Sequence, residues 1–288
     1  TSAKFSGSRK ADQTAYHAKN TAGLLKKFLQ DTTKKESRAH LLDDWTVVIN
    51  GKRLFNRALS DVQDLKKTEK QALFQMIKTT IPDYVDTINK HHNFHSNYFQ
   101  VLDIVRRVNA GTGSLGVDRF YILIQGNHEA EDGQVILDMK EIWKPSAYPH
   151  ATDIQKVHYH KQFPHEGIRY TAAYRALDYQ PDNHLGWVKF RDKVYSVRER
   201  NPYKKSFKMH KYINSEKDYV EMASYWGQIL ATEHARANKA NHYSLGKEIR
   251  SLTKGKSKEF KQIVREVAVG YASVVKSDYA LFKAHFIR

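Results

Sequence analysis

The stretch Leu102-Asp-Ile-Val-Arg-Arg-Val-Asn-Ala-Gly111-Thr112-Gly113-Ser114-Leu-Gly116-Val-Asp-Arg-Phe-Tyr-Ile-Leu-Ile-Gln125 decides how this chain is read. An apolar run enters a glycine-rich turn and a second apolar run leaves it. After a short polar interval a third run, Gln134-Val-Ile-Leu-Asp-Met-Lys140-Glu141, ends in a lysine. Apolar and β-branched runs separated by turn residues predict three strands in an antiparallel meander. The alternation within the third run sets Lys140 on the face of Ile136 and Asp138, opposite Val135, Leu137 and Met139.

The glycines at 111, 113 and 116 match the spacing G-x-G-x-x-G, which two unrelated phosphate-binding turns share. The dinucleotide-binding turn runs straight into a helix, whose N-terminus takes the pyrophosphate. Here Val117, Phe120, Tyr121, Ile122, Leu123 and Ile124 follow, and these residues favour a strand. A glycine turn between two strands, with a lysine on the third, is the arrangement with which protein kinases hold nucleotide phosphates. Gly111, Thr112, Gly113, Ser114 and Gly116 are therefore candidate nucleotide contacts, with Lys140 as the positive charge. A plain hairpin turn with glycines for positive φ, and an exposed lysine at a strand end, account for the same residues. Both readings stand at this point.

With 288 residues the chain is long enough for one large domain or two modest ones, and 40% hydrophobic content is that of a folded protein. No apolar run approaches the ~20 residues of a membrane helix. Thr1 to Lys10 are polar and basic, unlike a signal peptide, so a cytoplasmic location is expected. No initiator methionine is present, so the chain reads as processed or as a fragment. The lack of cysteine excludes disulfides and thiolate chemistry. The net charge of +17 suits nucleic acid, anionic lipid or a polyanionic substrate. Basic residues are spread along the chain, which reads as a solvated basic surface. The segment Lys204-Lys-Ser-Phe-Lys208-Met-His-Lys211-Tyr212 interleaves aromatics with lysines, as a single-strand nucleic-acid binder does.

In chain order, the spacing predicts a helix over 14–29 and a hairpin over 45–55 turned at Asn50-Gly51. It predicts a helix over 61–80 that Pro82 stops or restarts, and a second piece over 83–92. Beyond the meander, 145–165 reads as a loop rich in Pro, His and Tyr. A helix over 167–179 leads to a hairpin of 185–190 with 194–199, and helices follow over 217–239 and 257–285.

Arg198 and Glu199 close the last strand, where a nucleotide base would sit, or else form a surface ion pair. His234 falls on an apolar helix face and reads as a packed, hydrogen-bonded histidine. His91 with His95, and His158 with His160 on one strand face, are spaced for metal, but neither pair has a third ligand nearby. Gly126-Asn127-His128 with Asp138 imitates a catalytic loop and metal aspartate, yet Asn127 cannot act as a base. That segment reads as a turn.

A run of colinear motifs resembles the bacterial "domain of unknown function 2252" proteins. They are Gly113-Ser-Leu-Gly116, Lys140-Glu141 with Ser146, Gly167-Ile-Arg169, Leu185-Gly186-Trp187, Tyr195-Ser-Val-Arg198, Leu230-Ala-Thr-Glu-His234-Ala-Arg236, and Tyr271-Ala272 with Asp278-Tyr279. That family resembles aminoglycoside-type phosphotransferases in permuted order. Its Gly-Asp-x-His-x-x-Asn-Phe and Asp-Phe-Asp segments, which look catalytic and metal-binding, have no counterpart in this sequence. The resemblance implies an α+β fold: a kinase-like small lobe of about five antiparallel strands plus a helix, packed with a largely helical region. The regions expected are 1–100 (helical with a short hairpin), 101–200 (nucleotide-binding lobe) and 201–288 (helical). The implied function is the nucleotide-binding lobe of an ATP-dependent phosphotransferase that takes ATP and Mg²⁺. Its base and metal ligands would come from a missing N-terminal segment, leaving this chain alone inactive on an unknown substrate. The glutamate that such a site pairs with its lysine is not evident, since Ala172 or Ala173 takes that place and Glu166 lies at the helix start. A non-catalytic pseudokinase-like module or a basic nucleic-acid-binding module is the alternative.

Overall fold

A computed structural model describes residues 21–88, 94–127, 133–178, 181–203, 205–240 and 245–286. At its centre β4 (Val101–Arg107), β5 (Arg119–Ile124) and β6 (Val135–Glu141) form the antiparallel meander expected from their sequence. They are numbered after β1 (Thr46–Ile49), β2 (Lys52–Phe55) and β3 (Val62–Gln63). With β7 (Gly186–Phe190) and β8 (Lys193–Glu199) the meander belongs to a sheet ordered β3-β4-β5-β6-β8-β7. Every neighbouring pair is antiparallel. The fold is α+β. β1 and β2 pair as a separate hairpin, and Asn50 and Gly51 both take positive φ in its turn, as a type I′ turn requires.

The helices are α1 (Gly23–Lys35), α2 (Arg38–Trp45), α3 (Lys67–Thr87), α4 (Asp153–Gln162), α5 (Glu166–Leu177), α6 (Met209–Tyr212), α7 (Glu216–Ala240), α8 (Leu245–Thr253) and α9 (Ser257–Phe286). One compact unit ends at Trp226 and another begins at Gly227, within α7.

Strand alternation splits the core in two. Ile122, Leu137, Met139, Tyr195 and Val197 face α3 and pack on Leu73, Ile77 and Tyr84. Val105, Tyr121, Leu123 and Ile136 turn to the other face, against Leu41, Leu42 and Trp45 of α2 and Phe55 of β2. Lys140 sits on the second face, two residues beyond Asp138.

Several expectations are corrected. Pro82 neither stops nor restarts its helix, because α3 runs unbroken through it. The missing N–H costs one hydrogen bond. Leu73, Ile77 and Tyr84, buried along one side of α3, hold the helix to the sheet across the proline. The same helix starts later than the spacing suggested, after β3 has paired with β4. The stretch 145–165 is not all loop. Thr152 and Gln155 form a capping box that starts α4. His158 and His160 thus lie on a helix, where residues two apart point to different sides. His160 Nε2 is 2.7 Å from the Tyr148 hydroxyl. α2 and α8 were not anticipated. Helix α9 forms as its period requires, yet Phe260, Ile263, Val267, Tyr271, Val274 and Leu281 stay exposed along it. Residues 14–20 and 89–92 of the expected helices, and His91 and His128, lie outside the described residues.

Candidate functional site

The second face of the sheet is covered by α2 and Phe55 of the β1–β2 hairpin at one end and by α5, packed on β7 and β8, at the other. A cleft of about 810 Å³ opens on this face, with Gly111, Arg119, Tyr121, Asp138, Arg198 and Glu199 on its walls. α5 contributes Tyr174, and Arg38, Arg107 and Arg200 bring the arginines to five, beside the acids Asp138, Asp178, Asp182 and Glu199. The position of α5 follows from Gly167, which meets the base of the Trp187 side chain so closely that an added Cβ would lie 2.7 Å from Trp187 Cγ.

The glycine turn at the cleft edge contains a 3₁₀ turn over Thr112–Ser114, closed by the Ser114 N–H donating to the Gly111 carbonyl at 2.8 Å. Of the three motif glycines only Gly116 has positive φ, +70°. Gly111 and Gly113 have ordinary φ, and a Cβ on either would meet nothing within 4 Å. Neither backbone nor packing therefore requires glycine at these two positions. Gly126, in the turn after β5, is the opposite case: φ is +62° and a Cβ would lie 1.9 Å from the Gly133 carbonyl oxygen.

Lys140 reaches the glycine turn directly, its ammonium donating to the Gly113 carbonyl at 2.9 Å. Burial, and then the neighbouring Arg119 charge, hold its pKa below the usual lysine range. No glutamate from α5 meets it. Glu166 instead accepts hydrogen bonds from Tyr159 at 2.7 Å and Arg169 at 2.5 Å. Asp138 is engaged by Arg119, whose Nε donates to it at 2.7 Å while Nη2 holds the second oxygen. Arg198 lies across the strand pair from Asp138, with its guanidinium 5.7 Å from the centre of the Tyr174 ring. Glu199 departs from that group: Arg38 Nη2 donates to it at 2.8 Å, so it belongs to a buried network. The structure therefore places Gly111 and Arg198 on the walls of one cleft and joins Lys140 to Gly113, but Gly113, Ser114, Gly116 and Lys140 are not on those walls. Glu199 lines the same cleft with its charge already balanced. Ser114 Oγ stands 3.5 Å from Arg119 Nη1.

A family model described as "Uncharacterized protein conserved in bacteria (DUF2252)" matches residues 3–285. The chain belongs to this family. No curated protein and no solved structure matches this DUF2252 member.

Among the described residues, a single group of three His, Asp or Glu side chains has a spacing that suits a metal: Asp182, His184 and Glu199, with ligand atoms within 4.8 Å of one another. The DUF2252 chain uses these atoms internally. His184 Nδ1 is 3.3 Å from Asp182 and 3.5 Å from Glu199, while its Nε2 is 2.9 Å from the Tyr98 hydroxyl. Burial pushes the Asp182 carboxyl up, but hydrogen bonds from His184 and from the His184 and Glu199 backbone outweigh it and leave its pKa low. Mg²⁺ prefers an all-oxygen shell with several waters. A buried histidine between carboxylates, one already bound to an arginine, does not suit it, and Asp138 is taken by Arg119.

Sequence reasoning missed Arg107, Arg119, Arg200, Tyr174 and the Asp182–His184 pair. One signal was available for Arg200, since it follows Arg198 by two and shares its strand face. The aromatic-basic segment near residue 210 has its rings occupied. Phe207 stacks on Tyr212 at 4.9 Å, and both pack edge-on against Phe28.

Proposed function

We propose that this chain is the nucleotide-binding part of a kinase-like phosphotransferase, with the phosphates held between the glycine turn and Lys140. The observation that carries the reading is the Lys140–Gly113 contact, two residues along the turn from Gly111 on the wall of a cleft large enough for a nucleotide. Two further features support it. Three antiparallel strands, the helices α4 and α5 and two more strands of the same sheet follow one another, close to the three strands, one helix and two strands expected of a kinase-like small lobe. Gly111 and Gly113 sit where the fold itself makes no demand for glycine, which suits a backbone that a phosphate approaches closely.

In this reading Gly111, Thr112, Gly113, Ser114 and Gly116 present the turn to the phosphates, and Lys140 offers a further N–H of its ammonium to a phosphate oxygen. Arg198 orients the ligand from the opposite wall. The group that bound ATP supplies is its transferable phosphoryl. The sequence has no residue pattern for a general base or a magnesium-binding aspartate, so binding, not transfer, is assigned to this chain.

The test is the thermal shift given by ATP with and without Mg²⁺. A ligand at about 100 times its dissociation constant stabilises the fold by about 2.7 kcal/mol. A saturable shift that disappears in Lys140→Ala is expected. No shift in the wild type, or an equal shift in the variant, would overturn the reading, as would phosphoryl transfer by the chain alone.

A further inference from the structure

Tyr121, at the floor of the cleft, is surrounded by arginines. The guanidiniums of Arg107, Arg119 and Arg200 lie 5.9, 5.8 and 5.8 Å from its ring centre. Arg200 is also 4.4 Å from the Trp45 ring and Arg107 5.3 Å from it. Arg198 joins them from the Tyr174 side; burial opposes its charge, but Tyr170, Tyr174 and Asp138 outweigh this, with Arg119 opposing more weakly, and hold its pKa up.

The cleft walls carry five arginines and four acids, Asp138, Asp178, Asp182 and Glu199, but only some of the arginines are paired. Asp138 balances Arg119, and Asp61 meets Arg107 at 3.1 Å. Among the described residues, neither Arg198 nor Arg200 has a carboxylate within ion-pair distance, and neither side chain makes a hydrogen bond. The Nε of Arg107 is buried with no hydrogen-bond partner at all. Its side chain is only 12% exposed, so bulk water does not replace the missing acceptor.

Like charges gathered at low exposure repel, and a buried N–H without an acceptor is costly. Both penalties have one remedy, a multiply charged acceptor. The aromatic contacts place the Arg107 and Arg200 guanidiniums against the Tyr121 and Trp45 rings, and that of Arg198 against Tyr174. Planar arginine forks match the oxygens of a phosphate in pairs. We propose that Arg107, Arg198 and Arg200 form a phosphate-binding cradle on the Tyr121 floor of the cleft. The inference rests on the unpaired guanidinium groups and does not depend on the nucleotide reading. The phosphate arrives either on a nucleotide or as a separate inorganic or monoester group.

The experiment is calorimetric titration of the purified chain with inorganic phosphate, pyrophosphate, AMP and ATP at matched ionic strength, with chloride as the control. Wild-type protein should bind pyrophosphate saturably, and the double variant Arg198→Gln/Arg200→Gln should bind it at least tenfold more weakly. Arg198→Lys, which keeps the charge and loses the fork, should lie between them, and unchanged melting of this variant guards against a folding artefact. Lys67→Ala, an exposed charge on α3 across the sheet from the cleft, should retain pyrophosphate binding. Pyrophosphate binding with no ATP binding leaves the cradle in place, assigns it to a separate phosphate, and removes the nucleotide reading. ATP binding that falls in both the Lys140 and the arginine variants assigns the phosphate to the nucleotide. Absence of saturable phosphate and pyrophosphate binding, or full binding by the double arginine variant, overturns the cradle.

Discussion

Replacing Asp138 by Asn separates the electrostatics of the cleft from its shape. Asp138 is 5% exposed and Arg119, diagonal to it on the neighbouring strand, has a side chain 13% exposed. The substitution keeps the volume and one acceptor but leaves the guanidinium unbalanced beside Arg198. Breaking a buried pair by removing one partner costs about 3–5 kcal/mol. The retained amide oxygen places this case near the lower end, about 3 kcal/mol. For a unit of about 200 residues that is a fall in Tm of roughly 6–12 °C. Adding Arg119→Gln should return most of the loss, because the orphaned charge goes with it. The four proteins form a double-mutant cycle, and a coupling of at least about 1 kcal/mol is expected. Denaturant unfolding followed by far-ultraviolet circular dichroism gives all four values. A single-variant loss within about 1 kcal/mol, or additive effects, would refute the claim that Asp138 neutralises this part of the cleft.

Three other outcomes are expected. Gly186→Ala places a methyl 2.5 Å from Thr87 Oγ1 and 2.7 Å from the Tyr84 ring, threatening the bond from the Trp187 N–H to Thr87. Overpacking and a lost hydrogen bond together predict a loss of about 2–4 kcal/mol by urea unfolding, and a neutral result would contradict the tight seam between α3 and β7. Leu73→Ala, at a position 1% exposed in the core under α3, should cost about 2–5 kcal/mol in the same assay. Asp103 supplies the pH dependence. Burial raises its pKa, but hydrogen bonds from Arg57 and the Phe55 N–H, with the charges of Arg57 and Lys70, more than reverse this and hold it low. A carboxyl with a depressed folded-state pKa contributes its full stabilisation above the unfolded-state value, about 3.9, and loses it as pH falls through the folded-state pKa. Melting temperatures taken from pH 6 down to 2 should therefore fall more steeply for the wild type than for Asp103→Asn, and parallel curves would contradict the assignment.

The meander was legible because its strands obey a two-residue period and its turns carry glycine. The hairpin at Asn50-Gly51 was legible for the same reason. What escaped the sequence was decided by contacts distant along the chain. Pro82 looked like a helix stop because local rules see the missing N–H and not the buried face that spans it. α4 is amphipathic only weakly and buries nothing, so its period gave little signal, and its start depends on the Thr152–Gln155 cap. Lys140 and the glycine turn could be paired in advance because adjacent strands bring them together. Arg107 and Arg200 could not, since their meeting around Tyr121 depends on β8 inserting next to β6. Asp103 reads as a charge in an apolar strand until Arg57, 46 residues earlier, is placed against it.

The contact between Lys140 and Gly113 has a consequence for timing. The lysine's strongest acceptor is the backbone of the turn at the cleft edge. In the reading proposed here an arriving oxyanion takes another of the ammonium's three N–H groups, so the turn stays tethered as the ligand is captured. Lys140→Ala would leave the turn untethered from the start. In the reading proposed here its effect should appear in both kinetic constants: faster entry through a loosened edge, and much faster escape of the ligand once inside.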